Sequence, residues 1–277
     1  GRQQGIVVVK VAPGLRVEAG RRDGILQVDF SELPPALAQG NWNFAYQFAA
    51  VPFELTFAVE KIQPRILVDT LVEAHLQPEE ITLDVLAVYD IQRAGVFQLQ
   101  LAVPPAFEVR QVSGVAVAGG AAVEIDTHRL EPQKGNVLTV NLSKRARDKV
   151  GLAVQLYRGL REPDLLAPTG KAATVPVPVP RVAAGTVERE TGRLVVYGPE
   201  SLRINPAESK GLRPVSHAEA VQDLRSTQKP AGERPVLAFA FADESVQLNV
   251  SVERRRPQIT ARQLLWVRLE AGVVKYE

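Results

Sequence analysis

Apolar and polar residues alternate along most of this chain, a period of two that is typical of β-strands with one buried face. In one stretch Phe53, Leu55, Phe57 and Val59 fall on the same side of the predicted strand. The same alternation runs through residues 80–91, 96–104, 136–142 and 149–157. Turn-type sequences separate these stretches, including Arg-Ala-Gly at 93–95 and the charged run Ser-Lys-Arg-Ala-Arg-Asp at 143–148. We therefore predict many short strands joined by reversals.

Helical patterns are sparse. Ser216 followed by Glu219 predicts a capping box at the start of a short helix, and residues 31–39 fit a single turn that Pro34 and Pro35 limit. Long helices do not alternate with strands, so a parallel α/β sheet is not expected. The predicted fold class is all-β, with antiparallel, β-sandwich-like layers.

Two parts of the chain have similar sequences. Residues 44–72 align without gaps onto 237–265, and residues 5–33 align onto 192–220. The positions that match are mainly apolar, as in Leu55 and Leu248. The two matching blocks follow each other in the same order in both parts of the chain. Because two collinear matches rarely arise by chance, we predict a tandem repeat. The match of Glu32 with Glu219 predicts one local shape, a short turn, for both positions.

The repeat divides the chain at about residue 185. Residues 1–185 form the first predicted unit, with a proline-rich joint near 174–182, and residues 186–277 form a second, incomplete copy. Prolines spaced two apart favour an extended conformation, so the joint is predicted to be a semi-rigid connector or an edge strand rather than a ligand for a proline-recognition domain. The incomplete copy and the absence of Met predict a piece of a longer tandem array.

Composition excludes several classes of function. The chain has 277 residues and no Cys, which excludes disulfides, thiolate metal sites and cysteine nucleophiles. A net charge of only +2, with Lys and Arg scattered among acids, argues against a nucleic-acid partner. No apolar run is long enough for a membrane-spanning helix. We expect no cofactor.

Candidate chemistry is limited. Glu124, Asp126 and His128 occupy alternate positions of a predicted strand, so their side chains share a face and offer carboxylate and imidazole ligands to a divalent metal. The alternative is a solvated strand face, which we favour. Glu60 and Glu253 recur between the copies beside basic residues, a pattern that favours a cross-strand ion pair over a glycosidase acid pair. Without a catalytic motif, we predict that the protein is not an enzyme.

The strings GRLVVYGPESLRI, GLRPVS, AFAF and LNVSVERRRPQI resemble repeat units of large, uncharacterised envelope-associated β-repeat proteins of planctomycete-type bacteria. The resemblance spans most of the chain, but it consists of hydrophobic patterns. It implies an exported, multi-repeat β protein located outside the cytoplasm in the cell envelope. It implies no known reaction.

Three hypotheses for function follow. The first is a non-catalytic structural or adhesive segment of a larger bacterial cell-envelope protein, a spacer or docking surface. Its partners would be neighbouring repeats of the same polypeptide and protein or glycan of the envelope. The second is a carrier whose apolar strands, including residues 52–60 and 96–104, form a groove for lipid or another hydrophobic ligand. The third is an accessory carbohydrate-binding domain of a polysaccharide-active protein, with Trp42, Tyr46 and Trp266 as ligand-binding candidates.

Overall fold

A computed structural model describes residues 3–12, 14–183, 187–222, 232–242, 245–256, 262–264 and 267–276. Strands make up 62% of it and helices 7%, so the predicted all-β class is confirmed. Within these described residues, no helix has the length and apolar character needed to cross a membrane.

The first five strands form the N-terminal segment (residues 5–61). These strands are β1 (Gly5–Val9), β2 (Leu15–Asp23), β3 (Ile25–Gln27), β4 (Phe44–Phe48) and β5 (Glu54–Lys61), with a 3-10 turn at Phe30–Glu32 and one helical turn, α1 (Pro35–Ala38). They make a three-stranded sheet in the order β1-β4-β3 and a two-stranded ribbon, β2-β5. Aromatic rings of β4 and β5 hold the two layers together, with Phe44 and Tyr46 against Phe57 at centroid distances of 5.7 and 6.1 Å.

The central unit (residues 65–182) follows. It contains β6 (Arg65–Leu76), β7 (Glu80–Ala102), β8 (Glu108–Val115), β9 (Ile125–Glu131), β10 (Val137–Gly159), β11 (Ala172–Pro176) and β12 (Arg181–Val182), with a 3-10 turn at Pro132–Lys134 and helical turn α2 (Pro163–Leu166). The strands β6, β7, β10 and β8 lie side by side in that order, each antiparallel to its neighbour. The predicted apolar face of residues 80–91 is buried from Ile81 to Ile91, as the alternation indicated.

The predicted reversals at 93–95 and 143–148 are wrong. Each stretch lies inside one 23-residue strand, β7 or β10. The register between these strands shifts between Asn141 and Ala146 and again before Asp148, opposite the Arg93 region. Arg93 and Asp148 adopt positive φ angles of 67° and 59°. The Gly and charged residues in these stretches therefore belong to β-bulges, at which the paired strands β7 and β10 both continue. They resemble turns in sequence because bulges and turns use the same residue types.

The C-terminal segment (residues 189–254) repeats the arrangement of the first. It contains β13 (Arg189–Pro199), β14 (Leu202–Lys210), β15 (Arg213–Pro214), helical turn α3 (His217–Ala220), β16 (Glu233–Phe241) and β17 (Gln247–Arg254). A hairpin of β18 (Val267–Glu270) and β19 (Val273–Tyr276) follows. The Ser216 half of the predicted capping box is confirmed, because Ser216 Oγ accepts a hydrogen bond of 3.1 Å from Glu219 N. The Glu219 carboxylate instead accepts from Arg213 Nη2, and the helix ends after one turn.

Two sheets enclose the main hydrophobic core. The larger has nine strands in the order β15-β16-β13-β6-β7-β10-β8, with β12 beside β7 and β9 beside β10. The smaller is β11-β17-β14, and buried residues from both, such as Leu83, Leu156 and Val250, pack in one cluster. The central unit and the C-terminal segment therefore build one sandwich-like body.

The proline-rich stretch supplies an edge of this sandwich. Residues 172–176 form β11, which pairs only with β17 among the described strands. Val175 and Val177 are fully buried, while Pro176 between them is exposed. An edge strand tolerates proline because its outer edge needs no ladder hydrogen bond.

Candidate functional site

The two segments have the same strand pairing. In the N-terminal segment Gly5 pairs with Phe48 and Leu15 with Lys61. In the C-terminal segment Gly192 pairs with Phe241 and Leu202 with Arg254, which are the residues that the sequence alignment matches to them.

Local details also agree. Both ribbons have a bulge after the fifth residue of their first strand, at Ala19 and at Pro206. Gly24 and Gly211 have φ angles of 67° and 66° and begin the same turn. Asp29 caps the first short turn by accepting from Ser31 N, at the position that Ser216 occupies in the second segment.

The segments differ in what covers their outer strands. In the C-terminal segment, β6 pairs in parallel with β13 over nine residues, from Leu67–Arg189 to His75–Tyr197. Strand β11 pairs antiparallel with β17, and Ala172 lies opposite Glu253. In the N-terminal segment the equivalent strands β1 and β5 are the last strands of their sheets, within the described residues.

Side-chain burial follows this difference. Leu202 is 2% exposed and Val252 is 0% exposed, whereas their counterparts Leu15 and Val59 are 37% and 59% exposed. The N-terminal segment therefore presents an apolar strip that its counterpart buries against the central unit. We call the covered contact the strand junction, formed by β6 and β11 on one side and by β13 and β17 on the other.

Polar pairs cross the strand junction along β6. Arg65 binds Glu188 through two hydrogen bonds of 2.6 and 2.8 Å, and Arg193 Nη2 lies 2.6 Å from Asp69 Oδ2. Thr70 Oγ1 donates to Glu190 at 3.2 Å. Bidentate and partly buried contacts of this kind fix the register of two neighbouring strands.

A buried histidine cluster lies at the end of β6. His75 Nδ1 lies 2.6 Å from Glu233 Oε2, and the two side chains are 6% and 4% exposed. His75 Nε2 is 3.4 Å from Asp84 Oδ2, within ion-pair range but without hydrogen-bond alignment. The His75 ring stacks on Tyr197, with centroids 5.0 Å apart. Gln77 also donates to Glu233.

Tyr197 extends the cluster to helix α3. Its hydroxyl donates to Glu73 Oε1 at 2.9 Å and lies 3.0 Å from His217 Nε2. Burial raises the pKa of Tyr197, and the negative charge of Glu73 raises it further. The phenol is therefore neutral and remains a donor at neutral pH.

Opposing effects act on His75. Burial alone lowers the pKa of this imidazole, but contacts with Asp84 and Glu233 outweigh burial, and the net pKa is raised above its usual value. In its protonated form, His75 is an ion-pair partner for carboxylates on both β7 and β16. Because both side chains of the His75–Glu233 pair are almost inaccessible, the cluster suits strand cohesion better than contact with a substrate.

We expect a pH-dependent contribution of His75 to stability. Its raised pKa means that the contribution is complete below the unfolded value of about 6.5 and is lost as pH rises through the folded value. Chemical denaturation of wild type and His75→Gln at several pH values measures it. The difference in unfolding free energy should shrink with rising pH. The other titratable groups that face this region are the same in both proteins: Asp84, Glu233, Glu73, Tyr197 and His217. A difference in unfolding free energy that does not change with pH would contradict a raised pKa of His75 in the folded protein.

A matched glycine pair tests the strand junction. A Cβ at Gly192 would meet the Phe241 ring and, at 2.8 Å, the backbone oxygen of Thr70 in β6. At Gly5 the three nearest atoms all belong to the Phe48 ring, the first of them 2.6 Å away. We expect Gly192→Ala to lower the unfolding free energy by about 1–3 kcal/mol, because backbone cannot move aside as a ring can, and Gly5→Ala to cost less. Equal losses in urea denaturation would argue against the tight contact.

Of the predicted ligand-binding residues, Tyr46 and Trp42 lie in the N-terminal segment, apart from the strand junction. Tyr46 is fully buried in the N-terminal segment, so its ring is not part of an exposed platform. Trp42 is half-buried, and its Nε1 donates to Leu37 O at 2.8 Å in the α1 turn. Trp266 lies outside the described residues. A glycan-binding role for these residues stays a prediction.

Glu124, Asp126 and His128 are all exposed at β9. Glu124 lies 4.0 Å from Lys144. In the part of the chain that the structure describes, no group of three or more His, Asp or Glu side chains has a metal-binding arrangement. Glu253, also predicted as an ion-pair residue, lies 3.6 Å from Arg203 across the β14–β17 ladder.

Sequence reasoning missed the histidine cluster and the parallel junction. Neither His75 nor His217 belongs to a motif that the sequence pattern singles out. Their partners are distant in sequence: Glu233 lies 158 positions after His75, and Tyr197 lies 20 positions before His217. The one available signal was the apolar run before Tyr197, which indicates a strand buried on both faces.

Comparisons with known proteins give no family. No protein-family model matches the chain, and no curated protein matches it. Among solved structures, native yeast LTA4 hydrolase matches with a TM-score of 0.40 and 10% sequence identity. The match covers 77% of this chain and 31% of that one. A likeness this distant supports no conclusion about activity.

Proposed function

We propose that this chain is a non-catalytic structural segment of a larger bacterial cell-envelope protein, built from tandem repeats that interlock through strands. In this proposal residues 5–61 and 189–254 descend from one duplicated unit. The central unit joins them, and the chain acts as a spacer or docking surface outside the cytoplasm.

The matched register of the two segments is the observation that carries the proposal. Gly5–Phe48 and Gly192–Phe241 are equivalent pairs in both sequence and structure. The C-terminal segment does not stand alone, because β13 continues the central sheet through β6. A unit that completes the sheet of the unit before it gives a continuous chain of sandwiches, as in other repeat proteins. The buried polar groups at the junction fit a cohesive role.

Two measurements test the proposed function. Calorimetric titration of the full chain with a panel of soluble glycans and fatty acids should give no saturable heat. Hydrogen exchange should place the slowest amides in β6 and β13, since a spacer depends on that junction. Tight binding in either ligand class, or fast exchange at β6 and β13, would overturn it.

One groove favours the carrier hypothesis as a second candidate. It has a volume of about 710 Å³ and lies where the N-terminal ribbon meets β7 and β10. Leu15, Ile62 and Phe97 line it together with Lys61 and Arg145, a lining that suits an amphiphile with an acidic head group.

Oleate titration tests this candidate. Saturable binding to wild type that Phe97→Ser abolishes would support a carrier, since Phe97 is 52% exposed and its replacement should leave the fold intact. Absence of saturable binding would remove the carrier hypothesis.

A further inference from the structure

The outer edge of β5 can be compared with the equivalent edge in the C-terminal segment. That edge belongs to β17, and strand β11 covers it. There, β11 pairs with β17 from Ala172–Glu253 to Pro176–Asn249. Val177 N then donates to Leu248 O at 2.9 Å. The alignment places Glu60 at the position of Glu253 and Leu55 at that of Leu248.

The covered and uncovered edges differ in burial at matched positions. On β17, Val250 and Val252 are 0% exposed beneath the edge strand. On β5, the counterpart of Val252 is Val59, which is 59% exposed, and Ala58 and Glu60 beside it are also exposed. In the described residues β5 pairs only with β2. A strand edge with an apolar flank is a template for an added strand.

The covering strand has a specific chemistry. Residues 172–177 read Ala-Ala-Thr-Val-Pro-Val, with Val175 and Val177 fully buried and Ala172, Thr174 and Pro176 exposed. Small and β-branched side chains fit between the ribbon and the larger sheet. Proline at the outer positions stops further strand addition.

We propose that the outer edge of β5, Leu55–Glu60, docks an extended strand of the Ala-Ala-Thr-Val-Pro-Val type, supplied by another repeat unit of the same polypeptide. The strand runs antiparallel to β5, with its threonine opposite Ala58 and its first alanine opposite Glu60. This inference rests on the proposed tandem-repeat architecture. A second copy of the chain is a less suitable source, because its own residues 172–176 are already paired with β17.

Disulfide capture tests the docking and its register. The chain has no Cys, so a single introduced thiol reacts without competition. The probe is a synthetic peptide of residues 170–180 with Cys at position 174 or 172, added to full-length Ala58→Cys or Glu60→Cys protein in a glutathione buffer. Both protein positions are exposed, and circular dichroism checks that the variants fold.

The expected result is a register-dependent pattern. The 174 peptide should couple to Ala58→Cys, and the 172 peptide to Glu60→Cys, at least about tenfold faster than the crossed pairs, since a two-residue shift separates the thiols beyond disulfide reach. Hydrogen exchange of wild type with the cysteine-free peptide should slow amides of β5. Uniform coupling, no coupling, or coupling only to Ser251→Cys on β17 would overturn the proposal.

Two further outcomes separate this inference from its alternatives. Concentration-dependent dimers that Val59→Asp abolishes would assign the edge to a second copy of the chain and overturn the repeat-unit source. A saturable glycan or fatty-acid ligand would overturn the proposed function while leaving register-specific capture intact. Failure of capture alone would overturn the docking and leave the spacer proposal standing.

Discussion

His75→Ala should lower the unfolding free energy by about 3–5 kcal/mol below about pH 6.5, because it leaves Glu233 buried without the imidazolium that pairs with it there. The pair is separated by 2.6 Å, and the two side chains are only 6% and 4% exposed. The substitution also removes the ring that stacks on Tyr197. Urea denaturation followed by circular dichroism measures the loss, and thermal unfolding should shift down by roughly 10 °C.

His128→Ala is the matched control. His128 is exposed on β9, so its loss should change stability by less than about 0.5 kcal/mol. If both variants unfold at the same denaturant concentration as wild type, the histidine cluster does not hold the strand junction together. A loss confined to His75→Ala locates the effect at the cluster.

The second large expected effect is a difference in the loss of unfolding free energy between two leucines that the alignment makes equivalent. Leu202→Ala should cost about 2–5 kcal/mol, since the side chain is 2% exposed in the main core and its removal leaves a cavity. Leu15→Ala should cost less than about 1 kcal/mol, because Leu15 is 37% exposed on the uncovered ribbon.

Unfolding free energies from urea curves of both variants give this comparison. The same chemical change at matched positions isolates what the central unit adds to the C-terminal segment. Equal losses would mean that the N-terminal ribbon is covered in solution. That result would conflict with an outer edge of β5 that has no partner strand among the described residues.

Much of the fold follows from local pattern. Alternation located the buried face of β7, and Ser216 marked the start of α3. The bulges near Arg93 and Asp148 were mistaken for reversals, because Gly and charged residues serve both purposes and only the register of the paired strand distinguishes them. The apolar run before Tyr197 indicates that β13 is buried on both faces, but it does not identify β6 as the parallel neighbour, since such pairing joins residues far apart along the chain.

The candidate site was harder to predict than the fold. The residues singled out for chemistry, such as His128 and Asp126, lie on an exposed strand face. The buried polar cluster instead joins His75 to Glu233, 158 positions later. Spacing along a sequence indicates which side chains share a strand face, but it does not indicate which strands become neighbours.

The parallel contact between β6 and β13 has a consequence for synthesis on the ribosome. Asp69 and Thr191 meet across it although they are 122 residues apart. Because translation adds roughly 5–20 residues per second, several seconds pass between the synthesis of β6 and that of its neighbour β13. During that interval a largely apolar strand is open to wrong partners, so slower elongation between these two strands should increase aggregation of the nascent chain.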